Sequence, residues 1–308
     1  MRNYLLTVLI MASICLLPLP ARATENAFGR YIPGVFAGPA SEIVPPVPGF
    51  YMQSSTFFYR ASAKKDTQLP IGRTLKSKVE VEFFNTALTG VYVPEWSPGK
   101  NLNLGLGLTL PFQTLYIKAD VGRLSTSDRS TSLGDIVLTP AIGWHEGPHF
   151  VSANLSVYMP TGEYNKNHLA NVGLNCWTFT PSLAYTYVNP EKHIDFSVAA
   201  GVDISTKNDA TQYRSGEMAH ADATLLWTYE GFGAGVFGAV LYQFTDDEGD
   251  LADQLNGFRG RSFSVGPMLK YSAGGERDFT INLNWAPEFH VKNRVEGDGF
   301  FLNMSMRF

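Results

Sequence analysis

The chain has 308 residues, with 24 Lys and Arg against 28 Asp and Glu, a formal net charge of −4, and two cysteines. That mildly acidic balance carries no basic cluster and excludes a nucleic-acid-binding surface. Charged residues make up only 17%, below the roughly 25% of a soluble domain, as expected of a surface partly wrapped in hydrocarbon.

Residues 1–23 read as a secretory signal peptide. Arg2 and Asn3 precede an apolar run from Tyr4 to Leu19, and Ala21-Arg22-Ala23 supplies the small-x-small cleavage pattern, leaving Thr24 as the first mature residue. The run is shorter than the roughly 20 residues of a spanning helix. Ile14 before Cys15 argues against a lipoprotein signal. Without the leader only Cys176 remains, so no intramolecular disulfide is expected in the exported chain. Residues 24–49 form a Pro/Gly-rich segment, with Pro33, Pro39, Pro45, Pro46 and Pro48, too broken for regular structure and expected to be periplasmic or luminal.

From Phe50 onward, about twelve stretches alternate apolar and polar residues: 50–61, 78–93, 101–110, 133–146, 149–159, 174–188, 193–206, 216–230, 233–245, 260–273, 277–290 and 300–308. Residues 101–132 can be read as one long strand with an extracellular extension or as two short ones. In 193–206, Ile194, Phe196, Val198, Val202 and Ile204 alternate with Asp195, Ser197, Ala199, Asp203 and Ser205. In 300–308, Phe300, Leu302, Met304, Met306 and Phe308 share one parity. Each clear stretch can supply the roughly 9–11 residues of a tilted membrane-crossing strand. Short joints, such as Gly147-Pro148 and Gly231-Phe232, alternate with longer polar ones at 62–77, 111–132, 160–173, 207–215, 246–259 and 291–299. Tight periplasmic turns and long extracellular loops sort in this way. The predicted fold is all-β, a transmembrane antiparallel barrel of about twelve strands over residues 50–308. Such closure leaves no backbone edge unpaired in lipid. Aromatics near strand ends, among them Tyr92, Trp144, Trp227, Tyr229 and Trp285, suit an interfacial girdle.

Five residue groups are candidates for lumen or constriction roles. Asp135, in Leu133-Gly-Asp-Ile136, can face a solute or pair with neighbouring strands, and the nearby Gly and Pro residues mark a bend or bulge. Asn171, Asn175 and Thr178 offer neutral hydrogen-bonding groups after the Thr161-Gly162 turn, either as a constriction or as part of a rigid extracellular turn. His220, Asp222 and Thr224 share a face if the strand is regular, with Glu217 opposite, and their spacing alone does not make a metal site. Thr245 to Asp250 lacks the pattern of a helix-loop-helix calcium site and reads as a solvated loop meeting lipopolysaccharide-associated cations. Glu288, His290, Lys292 and Arg294 share parity and would form a mixed-charge row whose members pair between strands or filter solutes. Thr280, Asn282 and Asn284 would line the lumen. The letters H-E-x-x-H at His145–His149 enclose Gly147-Pro148, which breaks the helix that a zinc motif requires. No G-x-S-x-G elbow is present either, so no enzyme, metal or cofactor is expected.

Taken together, Leu133–Ile136, Trp144-His145, Pro160–Gly162, Asn171–Pro181, Tyr213–His220, Thr245–Asp247, Gly266-Pro267 and Glu288–Arg294 resemble the outer-membrane proteins of the MetA-pathway-of-phenol-degradation family, over nearly the whole mature chain. The resemblance implies a barrel linked with uptake of aromatic or other apolar compounds. The expected function is therefore passive uptake, with no ATP-binding loop to drive it, and the alternative is a structural or adhesive barrel with a closed lumen. Expected partners are outer-membrane lipid and lipopolysaccharide, the barrel-assembly machinery and a small hydrophobic or aromatic solute. A monomer is expected.

Overall fold

A computed structural model describes residues 29–63, 69–71, 74–121, 124–254, 259–274 and 278–308. The signal-peptide assignment to residues 1–23 lies outside the described residues. The strands are β1 (Gly49–Ser62), β2 (Leu69–Ile71), β3 (Thr74–Val93), β4 (Leu102–Val121), β5 (Leu124–Leu133), β6 (Val137–Glu146), β7 (His149–Tyr158), β8 (Thr178–Asn189), β9 (Ile194–Ser205), β10 (Met218–Tyr229), β11 (Phe232–Gln243), β12 (Arg261–Ala273), β13 (Phe279–Lys292) and β14 (Glu296–Arg307).

Each strand pairs antiparallel with its neighbours, and β14 returns to β1 in continuous register from Tyr51↔Arg307 to Ser62↔Glu296, which closes the sheet. β5 and β6 are two parts of one descending strand. Leu133 pairs with Phe112 of β4 and Val137 with Thr109, so four steps on the descending side oppose three on β4. The extra residue makes Gly134–Ile136 a bulge. With β5 and β6 counted as one strand and β2 as a short addition to β3, the wall is a closed ring of twelve strands. The segment 101–132 thus resolves as the long strand with an extracellular extension.

The alternation has its physical basis in two solvents. Outward positions carry large, exposed apolar side chains all round the barrel, including Phe58, Phe84, Leu108, Leu183, Val236, Leu269 and Phe300. A continuous apolar belt of this kind is unfavourable in water and is satisfied by lipid. No helix of the described residues is long and apolar enough to cross a membrane, so the strands provide the crossing. Just above Phe58 and Phe84 the same outward rows turn ionic, with Arg60–Glu82, Lys118–Glu80 and Lys78–Asp120 pairs, marking the headgroup level. At the opposite end the joints are tight. Glu230 and Gly231 both have positive φ, 46° and 85°, as a two-residue hairpin turn requires. The wall is thus a membrane-spanning β-barrel.

The last joint departs from the expected loop lengths. β13 runs to Lys292 and β14 begins at Glu296, so the long loop expected at 291–299 is a three-residue turn. The loops expected at 62–77 and 111–132 are also partly strand, because β3, β4 and β5 extend beyond the lipid belt.

Candidate functional site: a divided lumen

Residues 29–48 run inside the barrel, from Arg30 near the extracellular end to Pro48 beside the start of β1. The prolines deny this segment a strand's regular donors, so its backbone turns on itself. Val35, Ala37, Ser41 and Ile43 each donate to the carbonyl three residues earlier. The remaining groups are met by wall side chains. Asp222 accepts from the Gly34 N–H (3.0 Å) and from the Tyr31 hydroxyl (2.7 Å). Ser197 accepts from the Ala40 N–H (3.0 Å) and Ser152 from the Val44 N–H (2.8 Å). Asn284, Asn154 and Asn103 donate to the carbonyls of Gly34, Glu42 and Pro46. Inward Ser, Asn and Asp side chains therefore do for this segment what a neighbouring strand would do.

The expected candidates take the following places. Asp135 points inward from the bulge, 4% exposed, and pairs with Arg30. Thr178 receives the Arg30 Nε–H at 3.2 Å. His220 and Asp222 do share the inward face. The His220 ring stacks on Tyr31 with centroids 4.4 Å apart, and its Nε2 lies 3.6 Å from Asp203. Among the described residues no group of three or more His, Cys, Asp and Glu could hold a metal. Asn171 lies in the loop between β7 and β8, where it bonds Asn165 and His168 and so folds that loop. Asn175 donates to Asn208 of the next loop. Thr280 bonds Ser272, and Asn282 accepts from Asn303. Glu288 accepts from Tyr59, Ser262 and the Gly297 N–H, while Arg294 donates to the Tyr31 carbonyl.

Two expectations need correction. The single row Glu288, His290, Lys292 and Arg294 does not exist, because His290 has φ 52° and sits in a bulge where three residues of β13 oppose two of β12. Beyond it the parity reverses. Glu288 is buried inside, Lys292 is exposed, and Arg294 folds inward from the turn, 3% exposed. The segment Thr245–Asp250 is not simply solvated either. Asp247 is buried and accepts from the Gly216 N–H (2.7 Å), Gln243 (2.6 Å) and Tyr213. Burial pushes its carboxyl up to about 7, against the opposing effect of these donors.

Sequence reasoning did not single out Arg30, Tyr31, Glu42, Ser152 or Asp203. The ion pair between Lys270 and Asp195 (2.6 Å) was missed too. Their signal, inward parity on a strand, was available for the wall residues alone.

Beside the segment, towards β1, β3 and β4, the lumen keeps a cavity of about 370 Å³, within the size range of small-molecule sites. Phe57, Phe83 and Leu115 make its walls apolar towards the extracellular end. Gln53, Asn85, Thr89 and Thr109 line it lower down with neutral polar groups. Phe57 meets Phe83 edge-on at 5.4 Å. The extracellular mouth is covered by the loop 159–177, whose Leu169, Ala170 and Val172 are buried in one cluster with Tyr59, Val81 and Ile117. Asp128 of β5 holds that loop by accepting from the Leu169 and Ala170 N–H groups. Burial acts to raise the Asp128 carboxyl, but the N–H groups of Ala170, Arg129 and Leu169 outweigh it and hold the carboxyl below its usual range.

Comparison with known proteins agrees with this architecture. An outer-membrane channel from Pseudomonas putida F1 superposes with a TM-score of 0.68 at 14% identity, covering 88% of this chain and all of that one. A FadL homologue from Pseudomonas aeruginosa gives 0.48 at 8% identity, over 94% of this chain and 99% of that one. The translocator domain of the autotransporter NalP from Neisseria meningitidis gives 0.45 at 11%, over 85% and 89%. At 14% identity the likeness to the first of these concerns the fold alone. No curated protein matches the sequence. The family model described as "Putative MetA-pathway of phenol degradation" matches residues 61–304, nearly the whole barrel, and the chain belongs to that family.

Proposed function

We propose that the protein is a passive outer-membrane channel for small hydrophobic or aromatic compounds, closed here by its own amino-terminal segment. The observation that carries this reading is the cavity beside that segment. It is flanked by aromatic and aliphatic side chains above and by uncharged amides and hydroxyls below, and it extends from the loop between β7 and β8 down to Thr280 and Ser305. An apolar solute is desolvated against Phe57 and Phe83, while of the charged side chains that border the cavity Arg30 and Asp135 neutralise each other and Glu42 belongs to the segment itself. Movement follows the solute's concentration gradient.

The test is uptake of labelled toluene or phenol, at limiting concentration, by cells with and without the gene. Slower uptake without it is expected, and equal rates remove the proposal for those solutes. The dense bonding of residues 29–48 to the wall favours a second reading, a permanently closed structural barrel. That reading requires that loosening the segment never yields current in planar bilayers.

A further inference from the structure

Two separate elements close this lumen, the amino-terminal segment along its length and the loop 159–177 across its extracellular mouth. We propose that Asp135 is a latch that joins them, so that segment and loop release together. The consequence for flux rests on the channel reading above; the latch itself rests on geometry.

Asp135 reaches its place through the bulge between β5 and β6. Gly134 lies in that bulge, with the Gln113 amide packed over it. The inward carboxylate then serves three chain segments at once. Its Oδ1 accepts from the Gly162 N–H at 2.8 Å, and its Oδ2 accepts from the Leu174 N–H at 3.0 Å and from Arg30 Nη1 at 2.5 Å. Gly162 and Leu174 are the two sides of the loop's neck. They meet there because Gly162 and Gly173 pack backbone to backbone: a Cβ on Gly173 would lie 2.6 Å from the Gly162 carbonyl oxygen. Arg30 belongs to the luminal segment. Its other donors run to the far end of the same loop, Nη2 to the Cys176 carbonyl at 2.9 Å and Nε to Thr178 at 3.2 Å, and its guanidinium lies over the Tyr158 ring.

The coupling follows from desolvation. The side chains of Asp135 and Arg30 are 1% and 8% exposed. If the segment withdraws, Asp135 keeps a full charge in a dry site with only two amides to balance it, and a buried charge stripped of its partner is strongly unfavourable. Opening the neck lets water reach the carboxylate and relieves that cost. Opening the neck first removes two donors and loosens the hold on Arg30 in turn. A buried ion pair with a merely architectural role would stabilise the barrel without linking the two motions.

The experiment is amide hydrogen exchange on the full mature chain in lipid nanodiscs, comparing wild type with Arg30→Gln, Asp135→Asn, both together, and Asp128→Asn as a control. Arg30→Gln changes a residue of the luminal segment and removes its bonds to Asp135, Cys176 and Thr178. It is expected to speed exchange at Gly162 and Leu174, which Arg30 does not touch, by about tenfold or more, the worth of a charge-assisted hydrogen bond. Asp135→Asn is expected to speed exchange at Gly34, Ala40 and Val44. At each amide the double variant should fall short of the product of the two single effects, because both single variants lose the shared Arg30–Asp135 pair. Asp128→Asn should act on Leu169 and Ala170 alone. Release of the segment with an unchanged neck, or effects that multiply, overturns the latch. If Asp135→Asn fails to assemble, Arg30→Gln and Arg30→Lys carry the test, with Lys keeping the charge and part of the protection. Coupled exchange with no current from any variant would sink the channel reading and leave the latch standing. Current with uncoupled exchange would do the reverse.

Discussion

Loosening the luminal segment without touching the cavity separates a gated channel from a sealed barrel. Ser152 on β7 and Ser197 on β9 are suited to this, because each accepts one backbone N–H of the segment, from Val44 and Ala40 respectively. Both serines are buried, and alanine fits either position without a steric conflict. Ser152→Ala leaves the Val44 N–H without an acceptor, a loss of about 1–3 kcal/mol in the docked state only, since the released segment bonds to water. The Ala40 bond is partly open to the cavity and contributes about 1 kcal/mol. Ser197 also accepts from Thr186, which makes Ser152→Ala the cleaner of the two. Together the changes shift the docked-to-released ratio by roughly 2–4 kcal/mol, or about thirtyfold to a thousandfold. Single-channel recording should then show open events that are rare in wild type becoming frequent, in Ser152→Ala and more so in the double variant. Hydrogen exchange at Ala40 and Val44 reports release independently. Released amides with no change in current or in uptake of labelled toluene would refute the argument that this segment is what closes the path.

The converse perturbation pins the segment down. A Cβ on Gly105 would stand 3.8 Å from that of Val44, the usual spacing of a disulfide. Val44→Cys with Gly105→Cys, in a Cys176→Ser background, should therefore be silent when oxidised, even with Ser152→Ala present, and recover on reduction; current from the oxidised form contradicts this. Phe57→Ala removes a ring that packs between Phe83 and Phe301 and should lower thermal stability by about 3–5 kcal/mol while admitting bulkier apolar solutes. An unchanged unfolding temperature would show that the ring is not part of a packed interior. Asp247 links the loops after β9 and β11, and its carboxyl is raised from 3.8 to about 7. A folded-state value above the unfolded one means that its contribution is complete below about pH 4 and is lost as pH rises through about 7. Exchange at Gly216, corrected for its intrinsic pH dependence, should accelerate across that window. Asp247→Asn should flatten the response, and stronger protection at higher pH would contradict the assignment.

Much of the barrel is legible because the chain faces two solvents. Ile194, Phe196 and Val198 cannot exchange places with Asp195, Ser197 and Ala199 without putting carboxylate into lipid, so parity alone fixes β9. The same rule fails wherever one residue slips. At His290 a single bulge reverses the parity, and the four charges from Glu288 to Arg294, which look like one row, separate into a buried acid, an exposed histidine, an exposed lysine and an inward-folded arginine. Nothing local in Phe289-His290-Val291 announces that slip. The path of residues 29–48 is less legible still. Pro and Gly leave it no period, and its bonds to the wall inside the lumen join residues far apart in sequence, as with Tyr31 and Asp222 or Gly34 and Asn284.

The wall nonetheless carries an imprint of that segment in how its charge is distributed. Among the described residues, the inward positions of β1, β3 and β4 are uncharged: Gln53, Ser55 and Asn85 are typical. The buried carboxylates of the wall come from the bulge and from β9, β10 and β13, as Asp135, Asp195, Asp203, Asp222 and Glu288, with Lys270 of β12 paired to Asp195. In a water-filled pore such carboxylates need no partner and impose no geometry. In a dry interior each requires donors, and Asp135 and Asp222 find theirs in Arg30, Tyr31 and Gly34. Charge on one arc of an otherwise neutral lumen therefore marks the side on which the chain fills its own barrel. The neutral arc marks the side left for a solute. A barrel evolved only to be sealed would have no use for that division, because packing could fill both arcs with the same apolar side chains that already crowd Phe57, Phe83 and Phe301.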